Sequence, residues 1–166
     1  GGLGFIGYHL SSELSKNYNI HLIDNLHRGK KDVHFKSLLK KENINFYNIN
    51  ILNEGSLNKI IKNNYHYIFH FASIVGVKNV KKTPIDVIEK NFMMSKNIFK
   101  FAKKQKNLKK IFFSSTSEIY AGSESHKLIQ IPTKEESIIS LPSLFEARTS
   151  YMLSKIYSEY LLIQSS

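Results

Sequence analysis

The sequence has 166 residues, 42% of them hydrophobic and 12% aromatic, enough for one domain with a sizeable core. The absence of cysteine excludes a disulfide framework and thiolate metal sites, and no apolar run approaches the ~18 residues of a membrane span. The formal charge of +11 raises a nucleic-acid reading, but apart from Arg28 and Arg148 the cations are lysines spread along expected helix faces, such as Lys100, Lys103, Lys104 and Lys106. They read as solvated surface, so no nucleic-acid partner is expected. With no leader pattern at Gly1, a soluble, cytoplasmic protein is expected.

Glycines at 1, 4 and 7 precede a stretch with helical periodicity, Tyr8 to Leu14. Such a turn lets backbone N–H groups approach a pyrophosphate at a helix N-terminus. The strand expected at 20–24 supplies the context the motif requires. It ends at Asp24, where a carboxylate can accept hydrogen bonds from adenosine ribose hydroxyls; the plain alternative is a strand-end turn residue.

After a polar, lysine-rich loop come a helix near 33–42, a strand at 44–49 and a helix near 55–63. Residues 67–72 read as a fully buried strand ending in small residues where a cofactor could lie against backbone. His70 on that strand reads as a packed histidine, because no partner of ligand spacing accompanies it, and no metal is expected. Pro84 opens a long helix, near 85–105, with apolar Val87, Ile88, Phe92, Ile98, Phe99 and Ala102. Another buried strand follows at 111–115, then a loop of about 25 residues holding Gly122, Pro132 and Pro142; loops of that length are usually functional. Strand–helix alternation throughout implies an α/β fold, a doubly wound parallel sheet with ligand at the C-terminal strand ends. No internal repeat or linker interrupts it.

The last helix, starting near Thr149, carries Tyr151 and Lys155 four residues apart, hence on one face. An ammonium beside a phenol favours the phenolate, as a general base near neutral pH requires. The spacing alone also fits an ordinary surface pair. What strengthens the chemical reading is the glycine-rich opening, the acidic strand end and the segment from Ser114 to Tyr120.

Together these residues resemble the extended short-chain dehydrogenase/reductases, in particular nucleotide-sugar epimerases, dehydratases and decarboxylases. Gly1, Gly4 and Gly7 match the glycine motif without its leading Thr, and Asp24-Asn25-Leu26 matches the acidic end of the second strand. His70-Phe71-Ala72 looks like the family's His-Leu-Ala, and Asn91 matches an asparagine of the following helix. Ser115 to Tyr120 looks like its Ser-Ser/Thr-x-x-Val-Tyr segment, and Arg148 to Lys155 like its Arg-x-x-Tyr-x-x-Ser-Lys. The resemblance covers the whole chain. It implies a Rossmann-like NAD-binding domain over 1–166 that lacks the first strand and the C-terminal substrate domain, so that the chain reads as a fragment.

The resemblance implies NAD as cofactor. It would be held by Gly1, Gly4, Phe5, Ile6, Gly7, Asp24, Asn25, Asn50, Ile51, Phe71, Ala72, Ser73, Asn91, Ser114, Tyr151 and Lys155. It further implies that Tyr151 takes the proton of a sugar hydroxyl, usually at C4, that Lys155 holds the nicotinamide ribose, and that Thr116 hydrogen-bonds the same sugar oxygen. The resulting 4-keto sugar can be re-reduced to an epimer, lose water, or lose CO2 from a uronic acid. In dehydratases an Asp-Glu pair follows the Thr; here Ser117 replaces the Asp beside Glu118, so 4,6-dehydration is disfavoured. Thr116-Ser117-Glu118 is similar to UDP-glucuronate decarboxylases, but Ser73 to Val77 lacks the proline-bearing segment of their pentose-forming branch. Epimerase and decarboxylase both stay open, and Glu118 also fits a plain surface carboxylate.

Asn50 stands where the family commonly has Asp at adenine, and Ala121 precedes the Gly122 that directly follows the family's Tyr. Asp24 without a following arginine favours NAD over NADP; Arg28, Lys30 and Lys31 are the nearby cations that could answer a 2′-phosphate. The helices near 85–105 and from Thr149 resemble a pair that forms a four-helix homodimer interface, with Met93, Met94, Ile156 and Tyr160 as contact candidates. A non-catalytic dinucleotide-binding sensor of the same fold is the alternative from another class, against which Thr116, Tyr151 and Lys155 argue.

Overall fold

The computed structural model describes residues 1–29 and 32–165, with Asn63 described by its backbone. Helix α1 (Phe5–Leu14) leads to strand β1 (Ile20–Asp24), α2 (Val33–Leu38) and β2 (Ile44–Asn48). A 3-10 helix (Ser56–Asn63), β3 (Tyr67–His70), α3 (Val77–Lys82) and α4 (Pro84–Ala102) follow. Strand β4 (Lys110–Phe113), a second 3-10 helix (Ser117–Tyr120), α5 (Ala121–Ser125) and α6 (Thr149–Ile163) complete the order. All strand pairing is parallel, as expected for crossover connections through helices: β1 pairs with β2 from Ile20–Ile44 to Asp24–Asn48, and β3 with β4 from Tyr67–Lys110 to His70–Phe113.

The chain divides into two compact units, one of Gly1–Ser73 with Asn97–Phe113, the other of Ile74–Lys96 with Ser114–Ser166. In the first, Leu22, Phe35, Leu38 and Ile44 form a buried cluster against which Leu3, Tyr8, Ile20, Leu39 and Phe46 pack. The two strand pairs are separate ladders. An apolar cavity of about 670 Å3 lies along them, lined among others by Leu10, Leu14, Ile20, Leu22, Ile68 and Phe112.

That cavity corrects the reading of 67–72 and 111–115 as buried strands. Both are shorter, Tyr67 is exposed, and Phe112 is 40% exposed. Each strand pairs only with the other among the described residues, and the cavity keeps part of their surface open. The helix expected near 55–63 is a 3-10 helix bounded by two left-handed residues, Gly55 (φ 78°) and Asn64 (φ 53°). Helix α3 was not anticipated; Gly76 (φ 106°) starts it in a conformation natural to glycine. The expected long loop begins with two short helices, the 3-10 helix and α5. No helix among the described residues is long and apolar enough to cross a membrane.

Candidate active site

In the first unit, the glycines serve a tight backbone crossing. Gly2 N donates to Ile23 O at 3.0 Å and Gly4 N to Gly1 O at 3.2 Å. A Cβ on Gly7 would lie 2.6 Å from Gly1 O, and one on Gly1 would lie 2.7 Å from Ala72 N, both closer than real Cβ contacts allow. Helix α1 starts from Gly4, which has no side chain to cap it, and its ladder begins with Tyr8 N to Gly4 O at 2.9 Å. The amides of Phe5, Ile6 and Gly7 therefore have no acceptor within the helix, and Phe5 and Ile6 project to solvent.

Asp24 closes β1 with its carboxylate buried. Oδ2 accepts Leu3 N at 3.2 Å and Oδ1 accepts Leu26 N at 2.8 Å, with Leu26 held at φ 62°. Each oxygen retains a further lone pair. Gly29, which sequence reasoning passed over, packs here: a Cβ on it would meet Leu3 Cβ at 2.8 Å and Asp24 Oδ1 at 3.2 Å. Asn25 Oδ1 accepts His27 N, and Asn50 Oδ1 accepts Leu52 N at 3.1 Å. The buried Asn97 was also missed; its Nδ2 donates to Ile51 O at 2.8 Å and Leu52 O at 3.2 Å, pinning the turn after β2. Phe71, Ala72 and Ser73 follow β3, half-buried. His70 is buried and tilted against Phe113. Lys30 and Lys31 lie outside the described residues. An anionic pyrophosphate fits an uncapped helix start above a glycine turn, and a ribose diol fits the spare lone pairs of Asp24.

In the second unit, α6 presents Arg148, Tyr151 and Lys155 at i, i+3 and i+7, hence as one stripe. Both ends of the stripe dock on the segment after β4. Lys155 Nζ donates to Ser114 O at 2.7 Å, and Arg148 Nη2 donates to Glu118 Oε2 at 2.5 Å. Tyr151 thus stands between the anchors, as Thr116 stands between Ser114 and Glu118 in the opposed segment. Thr116 caps the 3-10 helix, its Oγ1 accepting Glu118 N at 3.3 Å, while Ser117 is exposed. Lys155 is 3% exposed, its Nζ 5.6 Å from the Tyr151 ring centroid. Burial pushes its ammonium down to about 8 from 10.5, Glu159 pulling weakly the other way. Glu118 keeps Arg148 firmly charged.

Asn91 acts on a loop and on α6. Its Oδ1 accepts Ile74 N at 2.8 Å, and its Nδ2 donates to Ile74 O and to Ser154 Oγ, each at 3.2 Å. Ser95 and Ser158, 2.6 Å apart through their hydroxyls, continue the small-residue seam between α4 and α6, with Phe92 stacked on Tyr157 at 4.0 Å. No sequence motif singled out those serines; their spacing of four from Asn91 and from Ser154 is the signal that could have done so.

Parallel strands, crossover helices and a glycine turn at the first helix define a Rossmann-like α/β protein. The chain belongs to the NAD dependent epimerase/dehydratase family, whose model matches residues 1–166. It is 34% identical over 98% of its length to a UDP-N-acetyl-alpha-D-glucosaminuronate decarboxylase of Bacillus cytotoxicus, covering 47% of that protein. Among solved structures it resembles the UDP-glucose 4-epimerase of Bifidobacterium longum in complex with NAD+ and UDP (TM-score 0.80, 25% identity, 98% of this chain and 46% of that one). It also resembles the Thermotoga maritima UDP-glucose 4-epimerase with UDP-glucose (TM-score 0.79, 28% identity, 99% and 49%). The chain spans about half the length of the relatives it matches. NAD is the cofactor of this family.

Proposed function

We propose that residues 1–166 are the NAD-binding part of a nucleotide-sugar enzyme working through a 4-keto sugar, with the site residues in the roles the resemblance implies. The observation that carries this is the α6 stripe: a tyrosine flanked by a buried lysine and an arginine, both anchored on the segment that holds Thr116. A dinucleotide sensor has no use for that arrangement.

NAD, when bound, accepts hydride from the sugar and returns it. Tyr151 Oη takes the proton of the C4 hydroxyl as the ketone forms and gives it back on reduction. Lys155, charged near neutral pH, favours the phenolate and grips the nicotinamide ribose. Thr116 Oγ1 holds the sugar oxygen by a hydrogen bond, and Ser117 and Glu118 face the later half-reaction. The amides at the start of α1 receive the pyrophosphate and Asp24 the adenosine ribose. Asn50, Ile51, Phe71, Ala72 and Ser73 line the cofactor's course, and Asn91 serves it through the 74 loop it holds.

A second reading, loss of CO2 from a nucleoside-diphosphate uronate, is favoured by Thr116-Ser117-Glu118 and by the 34% identity to a glucosaminuronate decarboxylase. A cytoplasmic homodimer through α4 and α6 belongs to the same proposal. Incubating the NAD-loaded full-length protein with UDP-, GDP-, CDP- and dTDP-sugars, with products identified by mass and NMR, tests it. Failure to convert any of them, or to bind NAD, overturns it.

A further inference from the structure

Arg148 stands apart from the roles assigned so far. Its guanidinium has five N–H donors, of which Glu118 takes one, through Nη2. Among the described residues nothing else accepts from it by a hydrogen bond, and its side chain is 54% exposed. A salt bridge between side chains this exposed contributes little to stability. Yet this one sits one helical turn before Tyr151, on the same stripe, and its partner lies two residues past Thr116.

We infer that Arg148 is a specificity-determining residue that binds the carboxylate of a nucleoside-diphosphate uronate, an inference resting on the 4-keto chemistry proposed above. Three observations converge. Glu118 takes one of the two Nη2 hydrogens and so orients the guanidinium plane, while the second Nη2 hydrogen stays beside a neighbouring N–H of the guanidinium as a fork for a second acceptor. A planar fork with two adjacent donors matches a carboxylate bidentately. The position also selects the sugar acid over the diphosphate. Tyr151 must meet the C4 oxygen; the uronate carboxyl is borne on C5, the neighbouring ring carbon, whereas the diphosphate hangs from C1 across the ring. A cation three residues from Tyr151, about 4.5 Å of helix rise, is matched to the nearer group.

The test uses NAD-loaded full-length protein and measures affinity for UDP-glucuronate, UDP-glucose and UDP in wild type, Arg148→Gln and Arg148→Lys. The expected result is that wild type prefers the uronate. Arg148→Gln should then weaken it about 10- to 100-fold with UDP and NAD affinity unchanged, and Arg148→Lys, charged but without the fork, should fall between. Unchanged NAD affinity in each variant reports an intact fold. Equal loss on UDP would mean that Arg148 meets the diphosphate; no loss on the uronate would leave it a tie between α6 and the 3-10 helix. Either outcome, or a wild-type preference for the neutral sugar, overturns the inference while sugar-dependent NADH absorbance keeps the 4-keto chemistry standing. Absence of that absorbance with every sugar overturns both.

Discussion

At the scale of single residues, Tyr151 and Lys155 carry the sharpest expectations. Tyr151→Phe keeps the ring and its packing and removes the proposed proton acceptor. Turnover of the identified substrate should fall by ~100- to 10,000-fold while NAD binding, followed by titration, stays near wild type. Lys155 has a measurable cost as well as a role. Its folded-state pKa of about 8 lies below the 10.5 of an exposed lysine, so between those values the unfolded chain holds more protons. Stability therefore rises with pH across that window, and at neutral pH the buried charge opposes folding. Lys155→Met, similar in length and apolar, should stabilise the full-length protein at pH 7 by about 1–3 kcal/mol. It should also flatten the rise in melting temperature between about pH 8 and 10.5, while weakening NAD and slowing turnover. A melting temperature that falls at pH 7 and keeps its slope above pH 8 would contradict the burial argument.

At the scale of elements, the loop between α5 and α6 is tied down by small residues. Ser123, buried in α5, donates to Ile138 O at 2.6 Å and accepts from Ser140 N at 2.8 Å. Tyr120 Oη donates to Glu135 O at 2.7 Å, and Thr149 Oγ1 to Ser143 O at 2.8 Å. Gly122 permits the approach, since a Cβ there would lie 2.0 Å from Ser140 O. The Ala121-Gly122 sequence that departs from the family pattern thus has a packing role. Gly122→Ala should destabilise by about 1–3 kcal/mol despite alanine's better helix propensity, because the clash is with backbone. Thermal unfolding of the full-length protein checks this, and an unchanged or higher melting temperature would mean that the 140 strand of loop moves freely.

At the scale of the whole molecule, cofactor choice and assembly are the testable properties. Asp24 is buried, fixed by the Leu3 and Leu26 amides, and has Gly29 packed against Oδ1, so in the proposed ribose role it would confront a 2′-phosphate with a carboxylate held in place. NAD should bind the full-length protein at least 10-fold tighter than NADP in parallel titrations, and Asp24→Asn should narrow the gap. For assembly, Met93 and Tyr160 are exposed on α4 and α6, whereas Met94 is buried in the core and Ile156 half-buried. An apolar pair open to solvent suits a helix-packed dimer. Light scattering at micromolar concentration should give a dimer, and replacing Met93 and Tyr160 together by Asp should give a monomer.

The motifs were legible in the sequence because each rests on local spacing. Three glycines at intervals of three force a backbone crossing, Asp24 ends an apolar run, and Arg148, Tyr151 and Lys155 share a helix face by periodicity alone. Parallel pairing followed from strands alternating with helices. What only the tertiary structure decided depends on contacts between residues far apart in the chain. The bond between Glu118 and Arg148, thirty residues on, is one that no local spacing announces. The bonds of Asn91 to Ile74 and Ser154, and the places of Gly29 and Asn97, come from neighbours no motif names. Strand burial was misjudged at 67–72 and 111–115 because apolar side chains specify what prefers to be covered, whereas the neighbouring elements determine what covers them.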